Sequence, residues 1–198
     1  QVQVLLVAAF SALLVALAWP HLITEAAEPK PAPEDKKAQL FPRDLNLWLL
    51  GFMALFSMVP EGAVLDWAAI YLGRELGSDL FRAGLGFAFF AASMASMRFA
   101  GDAIRNRFGA VRTLRLSGAI AAAGLLGGAL APSDIVAIVS FAVAGLGVAN
   151  MVPILISAAG NHPTLASGTA LSTVTMVGYA GILIAPSAIG FAADHIGF

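Results

Sequence analysis

Cysteine is absent from this chain and charge is scarce. The 198 residues hold no Cys, which excludes a disulfide framework and any thiolate metal site. Asp, Glu, Lys and Arg make up 12% of the chain, against about 25% in a soluble domain. After Asp134 no residue of these four types occurs until Asp194. The histidines, His21, His162 and His195, all fall at the ends of apolar segments, so no metal-ligating cluster is visible in the sequence. What fills the space is apolar: 59% of the residues are hydrophobic. No single soluble core could hide that much apolar surface, so the solvent of this chain is lipid. The expected fold class is all-α, a polytopic membrane protein. The net charge of −1 says nothing about partners, because the charges are confined to loops.

The first residues, Gln-Val-Gln-Val, lie inside an apolar run, and the chain stops just after another at Phe198. It reads as a piece of a longer protein. There is no basic n-region and no Ala-x-Ala-like site, so the start is not a signal peptide.

Six crossings follow from the apolar runs, each of roughly the twenty residues a bilayer requires. The first is 1–20, with Trp19 placed for the interfacial belt. Residues 24–44 mix acids and lysines with Pro29, Pro31, Pro33 and Pro42, a solvated, semi-extended linker. The second segment spans about 45–72 and is expected to break at Pro60-Glu61-Gly62. The third spans about 83–101, the fourth 113–131, the fifth 135–160 and the sixth 165–193, the last two split at Asn161-His162-Pro163. Small residues recur in them, among them Gly124, Gly128, Gly145 and Gly147, as close packing in lipid requires.

Between the third and fourth segments, residues 97–112 form a short charged hairpin. Arg98, Arg105, Arg107, Arg112 and Arg115 hold five of the eleven Lys and Arg residues of the chain. Basic loops resist translocation, so 23–44 and 101–112 are expected on the cytoplasmic side. The intervening loop at 73–82 has two basic residues, Arg74 and Arg82, beside Glu75 and Asp79, which suits the outside.

That hairpin resembles the loop motif of the major facilitator superfamily of secondary transporters, Gly-x-x-x-Asp-Arg-x-Gly with trailing basic residues. Arg107-Phe108-Gly109 matches its end and Arg112 its trailing charge. Asn106 stands where the motif's Asp should be and Asp102 where its first Gly should be; an alternative register places the acid at Asp102. The resemblance implies that this acid docks against a neighbouring helix terminus, with Arg98, Gly101, Asp102, Arg105, Arg107, Gly109 and Arg112 forming a conformational loop motif. Gly145-Leu146-Gly147-Val148-Ala149-Asn150-Met151-Val152-Pro153 is similar to the tenth helix of family members, and Gly178-Tyr179-Ala180-Gly181 with Pro186 and Gly190 to the eleventh. On that resemblance 1–22 is the sixth helix of a twelve-helix parent. Residues 23–44 are then its central cytoplasmic linker, and 45–198 are helices seven to eleven, with the twelfth missing. Gly190-Phe191-Ala192-Ala193-Asp194-His195-Ile196-Gly197 partly fits the same motif, but lacks its Arg and reads as a helix end with a polar stop.

Three residues are candidates for substrate or proton coupling. Glu61 lies inside an apolar span, where a carboxylate is costly unless it faces a cavity or a partner. Pro60 frees the carbonyl of Phe56 and Gly62 adds flexibility, and a Pro/Gly-interrupted helix at an acid is a pointer to a transporter site. At ~1.5 Å per residue Glu61 lies ~24 Å from Leu45. Asp66 lies ~140° around an ideal helix from Glu61 and closer to the outer interface, followed by Trp67 and Tyr71 as an aromatic belt. Asn150 is a lone amide deep in the fifth segment, able to bind a polar solute or to bridge helices. Arg98 is expected to pair with Asp102 one turn on. Ser157, Thr169, Ser172, Thr173 and Thr175 are expected to bond their own helix backbones.

The resemblance implies part of a secondary active transporter, expected in a cell membrane of the bacterial inner-membrane type. It would move a small polar solute by alternating access, with protons as candidate coupling ions. Its other expected partners are the bilayer and the N-terminal half of the same protein. No cofactor and no nucleic acid are expected, since the arginines have the simpler topological explanation. An enzyme is disfavoured, because no nucleophile motif or His-carboxylate set shares a helix face. The alternative is a non-transporting scaffold or receptor-like protein of the same fold.

Overall fold

The computed structural model describes residues 2–19 and 42–196, all helix and short connections. Most of the linker expected at 23–44 lies outside the described residues. The chain divides into two compact units, 1–36 and 37–198. The first contributes helix α1 (Val2–Ala18), apolar along its length. Residues 37–198 contribute α2 (Leu45–Arg74), α3 (Leu80–Phe108), α4 (Ala110–Ala129), α5 (Asp134–Val148), α6 (Met151–Gly160) and α7 (Ser167–Ile196). Helices α2, α3, α7 and the α5–α6 pair taken together are long and apolar enough to cross a membrane.

Local chemistry sets the helix ends. The Asp44 carboxylate accepts from the Asn46 amide at 2.8 Å and starts α2. Asp79 does the same for α3 through the Arg82 amide at 2.9 Å. Three boundaries differ from the sequence expectation. Helix α2 runs unbroken through Pro60. The charged hairpin is not a loop: α3 continues to Phe108 and α4 begins at Ala110, with Gly109 alone between them. Gly109 has φ +80°, a left-handed conformation that glycine adopts without steric cost. The fifth segment is two helices, parted at Ala149-Asn150.

Helix α5 packs on α3 and α4, and α2 packs on α7 and α3. Glycines let these backbones approach. A side chain on Gly124 would meet the backbone of Ala144 and Ser140; one on Gly147 would meet that of Ala121 and Ser117. Gly178 and Gly181 of α7 seat against Ala54 and Leu55 of α2. The buried side chains form two clusters. One contains Val64, Leu72, Phe90, Phe141 and Val148. The other contains Leu47, Ala54, Leu155, Ala159 and Val174. On α2 the clusters part between Ala54 and Val64, and on α5–α6 between Val148 and Leu155. Glu61 and Asn150 lie in those two intervals.

Candidate functional site

The site is built from two stripes that share one spacing. On α3, Arg98, Gly101, Asp102 and Arg105 fall at i, i+3, i+4 and i+7, one face of a helix. Across from them Asn150, Pro153, Ile154 and Ser157 repeat that spacing at the start of α6 and along it. The residues Arg98, Gly101, Asp102, Arg105, Asn150, Pro153 and Ile154 line a cavity of about 180 Å³.

The break between α5 and α6 follows from Pro153. Proline has no amide hydrogen, so the carbonyl four residues earlier, Ala149, loses its helical partner. Arg98 supplies a replacement: its Nε donates to the Ala149 oxygen at 3.4 Å, a long bond. The next carbonyl, Asn150, is satisfied normally by the Ile154 amide at 3.2 Å. Asn150 is 5% exposed, and its Nδ2 reaches the Met97 carbonyl at 3.5 Å. Its side-chain oxygen sits against Gly101, where any side chain would collide with it.

The other end of the Arg98 guanidinium turns to α2. Nη2 of Arg98 lies 3.6 Å from Oε2 of Glu61, with the two side chains 48% and 33% exposed, so the pair is only half withdrawn from its surroundings. This replaces the expected pairing with Asp102. Two turns further along α3, Nη2 of Arg105 donates to the Ser157 hydroxyl at 2.8 Å. Ser157 was expected to bond its own helix; Thr173 does so, donating to the Thr169 carbonyl at 2.9 Å.

The remaining candidates lie elsewhere. Asp66 is exposed on α2, away from the Glu61 pair. Trp67 and Tyr71, expected as a membrane belt, line an apolar groove between α2, α4 and α5, and the Tyr71 hydroxyl donates to the Gly128 carbonyl at 2.9 Å. Arg107 stands over the Phe108 ring, 5.5 Å from its centroid. Arg112 is exposed on the first turn of α4, and Gly109 forms the turn itself. The structure thus joins Glu61, Arg98, Gly101, Asp102, Arg105 and Asn150, and leaves Asp66, Arg107, Gly109 and Arg112 outside. Sequence reasoning missed Pro153, Ser157 and the Ala149 carbonyl as parts of the site. The signal for them was the repeated i, i+3, i+4, i+7 spacing after Asn150.

The family model described as Major Facilitator Superfamily matches residues 3–186. An uncharacterised MFS-type transporter of Yersinia pestis is 37% identical over 162 residues, 82% of this chain and 42% of that protein. The membrane protein MosC of Rhizobium meliloti is 31% identical over 188 residues, 93% of this chain and 45% of that protein. An uncharacterised transporter of Sinorhizobium fredii, y4wD, is 33% identical over 149 residues, 75% and 40% of the two chains. No solved structure matches the chain significantly. The chain therefore spans less than half the length of these relatives. With its lipid-soluble composition, its membrane-length helices and a family match along most of its length, this integral membrane protein belongs to the major facilitator superfamily.

Proposed function

We propose that this chain is part of a secondary active transporter that moves a small polar solute by alternating access, with Glu61 as the group that carries a coupling proton. The observation that carries the reading is the Glu61–Arg98 pair anchored at a helix break. An ionisable pair inside apolar spans is expensive to maintain, and discontinuous helices at such a pair mark transporter sites. Arg98 ties α2 to α3 through Glu61 and α3 to the α5–α6 junction through Ala149. Protonating Glu61 removes the Coulombic part of the first tie and leaves the second. One polar tie between α2 and α3 is then loosened while the apolar contacts of Val64, Ala68 and Leu72 with Ala83 and Phe90 remain, a change suited to rocking one part of a bundle against another.

The arginine-rich α3–α4 turn is assigned to the cytoplasmic face, on the excess of basic residues there. The rest of the cavity would come from the part of the relatives that this chain does not match.

The test uses the intact protein in proteoliposomes with a pH-sensitive dye in the lumen, challenged with a panel of small polar solutes. Wild type should show solute-induced proton movement, and Glu61→Gln should abolish it. Undiminished proton movement in Glu61→Gln overturns the role of Glu61; no proton movement in the wild type with any solute of the panel favours the scaffold alternative.

A further inference from the structure

The geometry points to a solute class: the cavity between α3 and α6 binds a small oxyanion, a carboxylate or phosphate group, between Arg98 and Arg105. As an assignment of substrate this rests on the transporter reading above; as a binding site it stands on the cavity alone.

Donor capacity is the first argument. A guanidinium carries five N–H donors in a planar fork that matches the two oxygens of an oxyanion. Arg98 uses Nε for the Ala149 carbonyl and turns Nη2 to Glu61. Arg105 uses Nη2 for Ser157. Among the described residues, neither Nη1 has a protein acceptor, and both side chains line the cavity. Two turns apart on one helix, they present their forks to the same space.

Size is the second. At about 180 Å³ the cavity is smaller than the roughly 300–1,000 Å³ pockets that enclose drug-sized ligands. It suits one charged group of a solute. Gly101 has no side chain, and the space it leaves is taken by the Asn150 side-chain oxygen; Pro153 has no amide hydrogen, so it adds no backbone donor there.

Charge is the third. The lining carries two guanidinium groups and one carboxylate, Asp102. Glu61, against Arg98, brings the sum to zero. Among the described residues no other charged side chain lines the cavity. Asp66 is on an exposed part of α2; α5–α6 has only Asp134, at its start; α7 has only Asp194 and His195, near its end; α4 has Arg112 and Arg115 in its first turns. An incoming monoanion makes the cluster net negative unless Glu61 takes a proton. Glu61 lies inside an apolar span, where uncompensated charge is costly, so a monoanion enters together with one proton.

The test measures binding of benzoate and of inorganic phosphate to the intact protein in phosphatidylcholine nanodiscs, by thermal shift and by proton uptake from weakly buffered solution. At least one anion should stabilise the wild type, with proton uptake on binding. Arg98→Gln and Arg105→Gln should each weaken binding about tenfold or more, the scale of a charged hydrogen bond. Arg105→Lys, which keeps the charge, should retain more affinity than Arg105→Gln and guards against misfolding as the explanation. Arg115→Gln, outside the cavity, should bind as wild type. Glu61→Gln should bind without proton uptake. Absence of binding by both anions, or equal binding by the glutamine variants and wild type, overturns the site. Stabilisation only when phosphatidylglycerol is added, and by neither soluble anion, assigns the oxyanion to a lipid headgroup and overturns the substrate class. Anion binding that follows these variants without any solute-driven proton movement sinks the transporter reading and leaves the site standing.

Discussion

Arg98 donates to the carbonyl of Ala149, the one group that Pro153 leaves without its helical partner. A proline on one helix and an arginine on another thereby make a single joint. The same arginine faces Glu61 on a third. The polar layer lies where the two apolar clusters part, so motion there need not disrupt either cluster.

Pro153→Ala tests the joint. The alanine amide restores a donor for Ala149, and removing an interior proline favours a helix by about 1–3 kcal/mol. We expect slower hydrogen exchange around 149–154, a more stable protein and slower solute-driven proton movement. Unchanged exchange at those amides would show that Pro153 does not hold the break open.

Gly124 tests how closely the helices pack. A Cβ there would lie 2.7 Å from the Cα of Ala144 and 2.8 Å from the Ser140 carbonyl oxygen, and neither backbone atom can move aside alone. Gly124→Leu should lose about 1–3 kcal/mol or fail to fold. Gly84, on α3, has nothing within 4 Å of the same position. Gly84→Ala should be neutral or slightly stabilising, since glycine in a helix interior costs up to about 1 kcal/mol relative to alanine. Thermal denaturation of the two variants in detergent decides between close packing and mere composition.

Tyr71 reports on the α2–α4 contact. Its hydroxyl donates to Gly128, near the end of α4. Tyr71→Phe removes the donor and leaves the ring against Phe141 in place. A loss of about 1 kcal/mol in thermal stability is expected; no loss would mean that water or lipid replaces the bond without cost.

The sequence carried the helices well, because long apolar runs and their polar stops are strong local signals. It carried the joints poorly. Pro60 looked like a break, yet α2 passes through it. Pro153, on a segment read as continuous, marks the real one. Proline acts on a carbonyl four residues away, and whether the helix opens depends on what else can reach that carbonyl. The basic stretch looked like a loop because of its charge, but arginine is a good helix former. Only the positive φ of Gly109 ends α3. Glu61, Arg98 and Asn150 were legible singly, as costly groups in lipid. Their convergence was not, since Asp102 offered Arg98 a nearer partner in sequence than Glu61 does.

The most direct measurement is a double-mutant cycle of Glu61→Gln and Arg98→Gln, read by thermal unfolding of the intact protein. If the two side chains act as one pair, the double variant should be more stable than the sum of the single losses predicts, by at least about 0.5 kcal/mol. Losses that add within error would contradict the pairing and, with it, the account of this site.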